Sequence, residues 1–240
     1  MSGATTTKPS AVSTSNSQLK VKCYLSFDDG PNANTGTILD VLAAEHVKAT
    51  FYLTGKNLKS VPDLQYKLVR RMINEGHDLG NHGYDHDPMM RRDYLKSTPS
   101  AVKKDFEDNL SYFNTLFSKR NSKFPGFSSA RLPGDGRFLK NYVDMIKGQE
   151  KLSHVSWDIE FSYNGRFTHL DKLDWQGVKG VACSHSGFPT ANNIILMHDS
   201  HWKGRIDLFR ALIKKLKTRC NITSLKPLPR GNHKINYATP

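Results

Sequence analysis

The spacing of hydrophobic positions changes several times along this chain, and each change marks an element. Residues 19–27 alternate, placing Val21, Cys23, Leu25 and Phe27 on one side of an extended segment that Gly30-Pro31-Asn32 ends. Ile38, Leu39, Leu42 and Ala43 share one helical face over residues 35–46. Thr50–Leu53 is a short β-prone run. Leu64, Leu68, Val69 and Met72 predict a helix over 63–75, with Gly76 as its cap. A short strand follows, ending near Asn81. The longest periodic helix covers 100–117, through Val102, Phe106, Leu110, Phe113, Leu116 and Phe117. A short strand at 127–130 and a helix at 139–146 come next. His154–Ile159 and Asn193–Met197 read as buried strands. A helix over 204–218 turns Ile206, Phe209, Leu212, Ile213 and Leu216 to one side.

Strands alternating with helices predict an α/β fold, with a parallel sheet or a barrel. Residues 19–230 show no internal repeat and no linker, so one domain is expected. Residues 1–18 are rich in Ser and Thr and hold no core-forming residues, which predicts a disordered lead. That lead has no apolar signal segment. It is either a cytosolic N-terminus or what remains after a signal was replaced by Met, and its linker-like composition favours the second.

Charge changes the picture of partners. The chain has 240 residues, 35 Lys+Arg and 22 Asp+Glu, for a net charge of +13. Ten basic residues and one acid, Asp207, lie in 201–240, so most of the excess sits on the last helix and the tail. A solvated basic face is the plain reading of such a run. Base-stacking aromatics and nucleic-acid motifs are missing beside it, so a nucleic-acid partner is not expected. No apolar run approaches about 18 residues, so no spanning helix is expected. Cys23, Cys183 and Cys220 allow one bridge and one buried thiol, or three thiols.

The candidate chemistry follows the strands. Asp28 and Asp29 come after the first strand, His82 and His86 after the third, Arg131 after Ala130, and His198 after the Asn193–Met197 run. Sites in parallel α/β folds assemble where strands end. Taken alone, Asp-Asp-Gly-Pro also fits a solvated turn, and His-x-x-x-His two surface histidines. Together, two imidazoles and a carboxylate describe a metal site with an open position.

In order, these segments resemble the NodB-like polysaccharide deacetylase family (carbohydrate esterase family four). Ser26-Phe27-Asp28-Asp29-Gly30-Pro31 is similar to its T-F-D-D-G-P. His82-Gly83-Tyr84-Asp85-His86 is similar to H-[ST]-x-x-H, with Gly83 in place of the hydroxyl residue. Ala49–Gly55, Gly76–His82 and Leu196-Met197-His198-Asp199 match three further segments. Two motifs depart from the pattern. Arg131-Leu132-Pro133-Gly134 lacks the usual aromatic residue after proline, and the second half of W-x-x-D-x-x-D-W is displaced toward Asp171–Trp175.

The resemblance implies a distorted (β/α) barrel, with residues 19–240 as the catalytic domain. It implies a monomeric, secreted or wall-associated hydrolase that removes N-acetyl groups from a glycan polymer. Asp29, His82 and His86 would hold Zn²⁺, with Co²⁺ or another divalent transition metal also suited to these ligands. Asp28 would be the base, paired with Arg131, and His198 the acid. Gly134, Pro133, Leu196 and Trp175 would contact substrate. Asp158, Glu160, Asp171 and Asp174 all remain open as the acid that orients His198. The basic charge favours peptidoglycan over chitin or chitooligosaccharides. The altered motifs leave a catalytically impaired glycan-binding module as a different class of reading. Gly83 and Gly134 both remove side-chain bulk, which predicts a more open cleft.

Overall fold

The computed structural model describes residues 21–86, 99–133, 153–163, 174–184, 187 and 193–226. Nine strands and four α-helices appear among them: β1 Val21–Gly30, α1 Thr35–Ala44, β2 Thr50–Leu53, α2 Pro62–Asn74, β3 Asp78–Asn81, α3 Pro99–Ser118, β4 Ser129–Ala130, β5 Ser153–His154, β6 Ile159–Tyr163, β7 Val181–Cys183, β8 Asn193–His198, α4 Ile206–Lys217 and β9 Cys220–Thr223. The spatial order is β5-β4-β3-β2-β1-β8-β6-β7, with β9 beside the first half of β1. All ladders are parallel except β6 with β7. The expected α/β domain with a parallel-rich sheet is what forms. Among the described residues the strands make an open path, and no ladder joins its ends.

Alternation along the central strands divides the sheet into two chemical faces, because successive side chains point opposite ways. Cys23, Leu25 and Phe27 of β1, Phe51 and Leu53 of β2, Ile159 and Phe161 of β6, and Ile195 and Met197 of β8 enter the main core. The helices cover that face with Ile38, Leu39 and Leu42 of α1, Leu68, Val69 and Met72 of α2, Phe113 and Phe117 of α3, and Phe209, Leu212, Ile213 and Leu216 of α4. The intervening positions, Ser26 and Asp28, Tyr52, Glu160, and Leu196 and His198, belong to the opposite face. The polar site is built there.

Several expected elements are redrawn. The run His154–Ile159 is not one strand: β5 pairs with β4, and β6 pairs with β8. Between them the backbone polar groups find other partners, as buried groups must. Val155 N–H donates to Ala130 O at 2.9 Å, and Asp158 N–H to Ile194 O at 2.9 Å. The Arg131 side chain donates to Val155 O at 2.8 Å. Strands β7 and β9 carried too short a pattern to be anticipated. The second brings Cys220 beside β1, where it forms a disulfide with Cys23. Of the two cysteine readings, one bridge and a buried third residue, Cys183, is the one that holds. The lead at 1–18 and the helix expected at 139–146 lie outside the described residues.

Candidate active site and metal centre

Strand β1 does not stop before the two aspartates, as the sequence suggested; it continues through them to Gly30. A regular strand would send Asp28 and Asp29 to opposite faces. The ladder prevents this. Phe27 pairs with Phe51 and Gly30 with Leu53, so three steps along β1 match two along β2. This is a β-bulge, a device that re-aims side chains. Asp29 sits within it at φ 63°, in the left-handed region. Both carboxylates consequently reach one site.

Asp29 Oδ1 lies 3.0 Å from His86 Nε2 and 3.3 Å from His82 Nε2. One ligand atom from each of the three residues falls within 4.8 Å of the others. His82 is fixed by its other ring nitrogen, Nδ1, 2.7 Å from the carbonyl oxygen of Arg131. A carbonyl only accepts, so Nδ1 carries the hydrogen and Nε2 presents a lone pair toward Asp29. His86 follows in a loop, at φ 63°. Burial works against charge on Asp29, yet the His82 and His86 imidazoles beside it hold its carboxyl well below the usual carboxylate range. Burial likewise pulls His82 down, and Asp28 and Asp29 outweigh it, leaving the imidazole above its usual value. The same field that favours a proton there favours a cation. Asp29 Oδ1 is buried and takes no hydrogen bond of good geometry. Two imidazoles and that oxygen fit a divalent transition metal.

Arg131 is fully buried and organises the other side of the site. Its Nη1 donates to Asp28 Oδ1 at 2.7 Å and to Ser26 Oγ at 2.8 Å. Its Nε and Nη2 take the carbonyls of Val155 and Ser156 at 2.8 and 3.2 Å. The guanidinium lies over the Tyr52 ring, 4.1 Å from its centroid. Asp28 is itself 3% exposed and stands 3.7 Å from His82 Nε2.

On β8, His198 is paired in register with Asp28, and Leu196 with Ser26. His198 Nε2 is 3.7 Å from Asp29 Oδ2, and its Nδ1 is 4.0 Å from Glu160 Oε1. Glu160 pairs with Leu196 across β6 and β8, which puts it on the site face. Two of the other acids left open as the one that orients His198 are engaged elsewhere. Asp158 accepts the Ile194 N–H at 2.7 Å, and Asp174 the Gly180 N–H at 2.7 Å. Asp171 lies outside the described residues. Neighbouring Asp199 is wholly buried and accepts from Thr35 and Asn32. Burial pushes its carboxyl up to about 7.

Not every anticipated contact is assembled here. Pro133 is buried two residues after Arg131, and Gly134 lies outside the described residues. Trp175 is 2% exposed and packs edge-on against Phe161 in the main core, ring centroids 4.7 Å apart, on the other face of β6 from Glu160. That place leaves almost no ring surface for a solute. The opening expected above Gly83 is also filled, because a Cβ there would overlap the Asp105 carboxylate from α3. Asp105 carried no motif signal; only the helix packing brings it to the loop.

The chain matches the family described as polysaccharide deacetylase over residues 16–133. It is 28% identical over 206 residues to a peptidoglycan-N-acetylglucosamine deacetylase of Bacillus cereus, covering 83% of this chain and 65% of that protein. The chain thus spans slightly less than two thirds of that relative. A chitooligosaccharide deacetylase of Rhizobium leguminosarum bv. trifolii is 49% identical over 86 residues, covering 33% of this chain and 38% of the relative. Among solved structures, the Bc1960 peptidoglycan N-acetylglucosamine deacetylase superposes with a TM-score of 0.61 at 26% identity, covering 86% of each chain.

Proposed function

The chain belongs to the polysaccharide deacetylase family, and from that membership and its site we propose a metal-dependent hydrolase that removes N-acetyl groups from amino sugars of a cell-wall polysaccharide, with peptidoglycan as substrate. The observation that carries the reading is the convergence of Asp29, His82 and His86 beside the buried Asp28–Arg131 pair. Residues 19–240 are read as one catalytic domain.

Asp29, His82 and His86 would hold the cation, with Zn²⁺ the first choice and Co²⁺ suited to the same ligands. When bound, such an ion supplies Lewis-acid polarisation of the acetamide carbonyl and of the attacking water, lowering that water's pKa from about 16 toward about 7. Asp28 takes the proton from the water as it adds to the carbonyl carbon. Arg131 keeps Asp28 aimed and its charge matched. His198, oriented by Glu160, gives a proton to the amine as the C–N bond breaks, so acetate and a free amino sugar leave. Leu196, beside His198 on the same face, borders the acetyl methyl.

A secreted or wall-associated protein accords with the Cys23–Cys220 disulfide, since such bonds persist in oxidising compartments. No helix among the described residues is long and apolar enough to cross a membrane. Neither a nucleic-acid partner nor assembly beyond a monomer is part of the reading. The matched chitooligosaccharide deacetylase keeps chitin-type oligomers as the second substrate class.

The test is acetate release from purified peptidoglycan and, separately, from chitin. Release from peptidoglycan is expected, abolished by a chelator and restored by Zn²⁺. Faster release from chitin would move the substrate to the second class. Glycan binding without acetate from either polymer would replace the enzyme by a binding module.

A further inference from the structure

The loop that carries both histidines is tied to helix α3 at three successive amides, the first through Asn81 and the next two directly. Gly83 N–H donates to Asn81 Oδ1 at 3.0 Å, and that oxygen also accepts from Asn109 of α3 at 2.7 Å. Tyr84 N–H donates to the backbone carbonyl of Asp105 at 3.1 Å. Asp85 N–H donates to the Asp105 carboxylate, Oδ1, at 2.9 Å. Asp105 and Asn109 are four apart and share one face of α3. Asn109 further donates to Leu53 O at 2.8 Å, and Asn81 to Phe106 O at 3.0 Å. The end of β2, the end of β3 and the loop are thereby pinned to one turn of helix.

Gly83 completes the arrangement. Its φ of 81° suits glycine, and its missing side chain leaves the space that the second oxygen of Asp105 occupies. Where the resembling motif has a hydroxyl residue inside the loop, this chain has a carboxylate delivered from outside it.

We propose that Asp105 is the positioning residue of the metal-binding loop: its carboxylate fills the place of a side chain at position 83 and holds residues 83–85 in the shape that aims His86 at Asp29. The inference rests on the reading of Asp29, His82 and His86 as a metal site. It goes beyond that reading by assigning the loop's shape to a residue of α3. Gly83 and Asp105 then form a matched pair, in which changing one alters the cost of changing the other.

The test uses the whole chain, with Co²⁺ as the probe. Asp105→Ala is expected to speed amide exchange of Asp85 in the metal-free protein by about tenfold or more. It should also weaken Co²⁺ binding by roughly 10- to 100-fold and alter the visible Co²⁺ absorption, as loss of an orienting partner does at metal sites. Asp105→Asn, which keeps an acceptor for Asp85 N–H, should recover most of both. Gly83→Ala should cost more Co²⁺ affinity in the unsubstituted protein than in Asp105→Ala, because the conformational cost at φ 81° is common to both and the overlap is not. Unchanged Asp85 exchange in Asp105→Ala overturns the proposal. So does faster exchange with unchanged Co²⁺ affinity and spectrum, since Asp105 would then tie the loop without aiming His86. If the unsubstituted protein takes up no Co²⁺, the metal reading fails by itself. Asp85 exchange and the ring shifts of His86 by NMR then decide the positioning: altered in Asp105→Ala they uphold it, unaltered they refute it.

Discussion

Replacing Arg131 by Met removes the positive partner of Asp28 while keeping a long apolar side chain. Arg131 is 0% and Asp28 3% exposed, so solvent cannot take over the pairing at the surface. Breaking a buried ion pair from one side costs about 3–5 kcal/mol, because the remaining carboxylate stays buried without the guanidinium that hydrogen-bonds it. The carbonyls of Val155 and Ser156 lose their donor as well, and a buried acceptor left unsatisfied costs about 1–3 kcal/mol. Stacking on Tyr52 is partly kept by the Met side chain. The expected loss is therefore about 5 kcal/mol, at the upper end of the ion-pair range. For a chain of this size that lowers the melting temperature by roughly 10–20 °C. Urea unfolding, with the slope checked against the unsubstituted protein, measures it. The second step is Asp28→Asn in the Arg131→Met background. It removes the stranded charge and is expected to restore about 2 kcal/mol, a non-additivity that a double-mutant cycle resolves. A loss under about 1 kcal/mol in Arg131→Met, or no recovery in the double variant, would refute the reasoning that a buried ion pair organises this side of the site.

Two further outcomes follow from other parts of the fold. The disulfide joins residues separated by 197 positions, so loop-closure entropy gives it up to about 5 kcal/mol; Cys23→Ala with Cys220→Ala, or dithiothreitol, should lower the melting temperature markedly, and a shift under about 2 °C would contradict a stabilising bridge. His77 accepts the Ala49 N–H on Nδ1 at 3.1 Å, which needs the neutral ring, and burial lowers its pKa from 6.5 to about 4. The unfolded chain then binds more protons than the native one between those values, so stability falls as pH drops from about 6.5 to about 4, by roughly 3 kcal/mol at most. His77→Gln should flatten that segment of the stability–pH curve, and an unflattened curve would place the acid sensitivity elsewhere.

The sequence determined what depends on near neighbours. The spacing of Leu68, Val69 and Met72, and of Phe113, Leu116 and Phe117, fixed two helices to within a residue or two, because an amphipathic helix repeats over several turns. Thr50–Leu53 was legible as a strand from its β-prone residues. The identities and order of Asp28, Asp29, His82, His86, Arg131 and His198 stood out because each follows or ends a strand, and parallel strands bring those ends together.

Other features required distant contacts, which no local period encodes. The bulge that turns both aspartates to one side depends on how β1 registers with β2. Glu160 comes within 4.0 Å of His198 Nδ1 because β6 lies beside β8 in the sheet, an adjacency that the split of His154–Ile159 also required. Trp175 followed a motif in sequence yet packs in the core, since the fold turns that segment toward Phe161. Cys220 meets Cys23 only because the short β9 joins the start of β1. Gly83 looked like missing bulk, but the space is filled by Asp105, twenty residues beyond Asp85. The chain alone named the groups that can do chemistry. Their direction, and the residues that hold them there, were decided by strand register and helix packing.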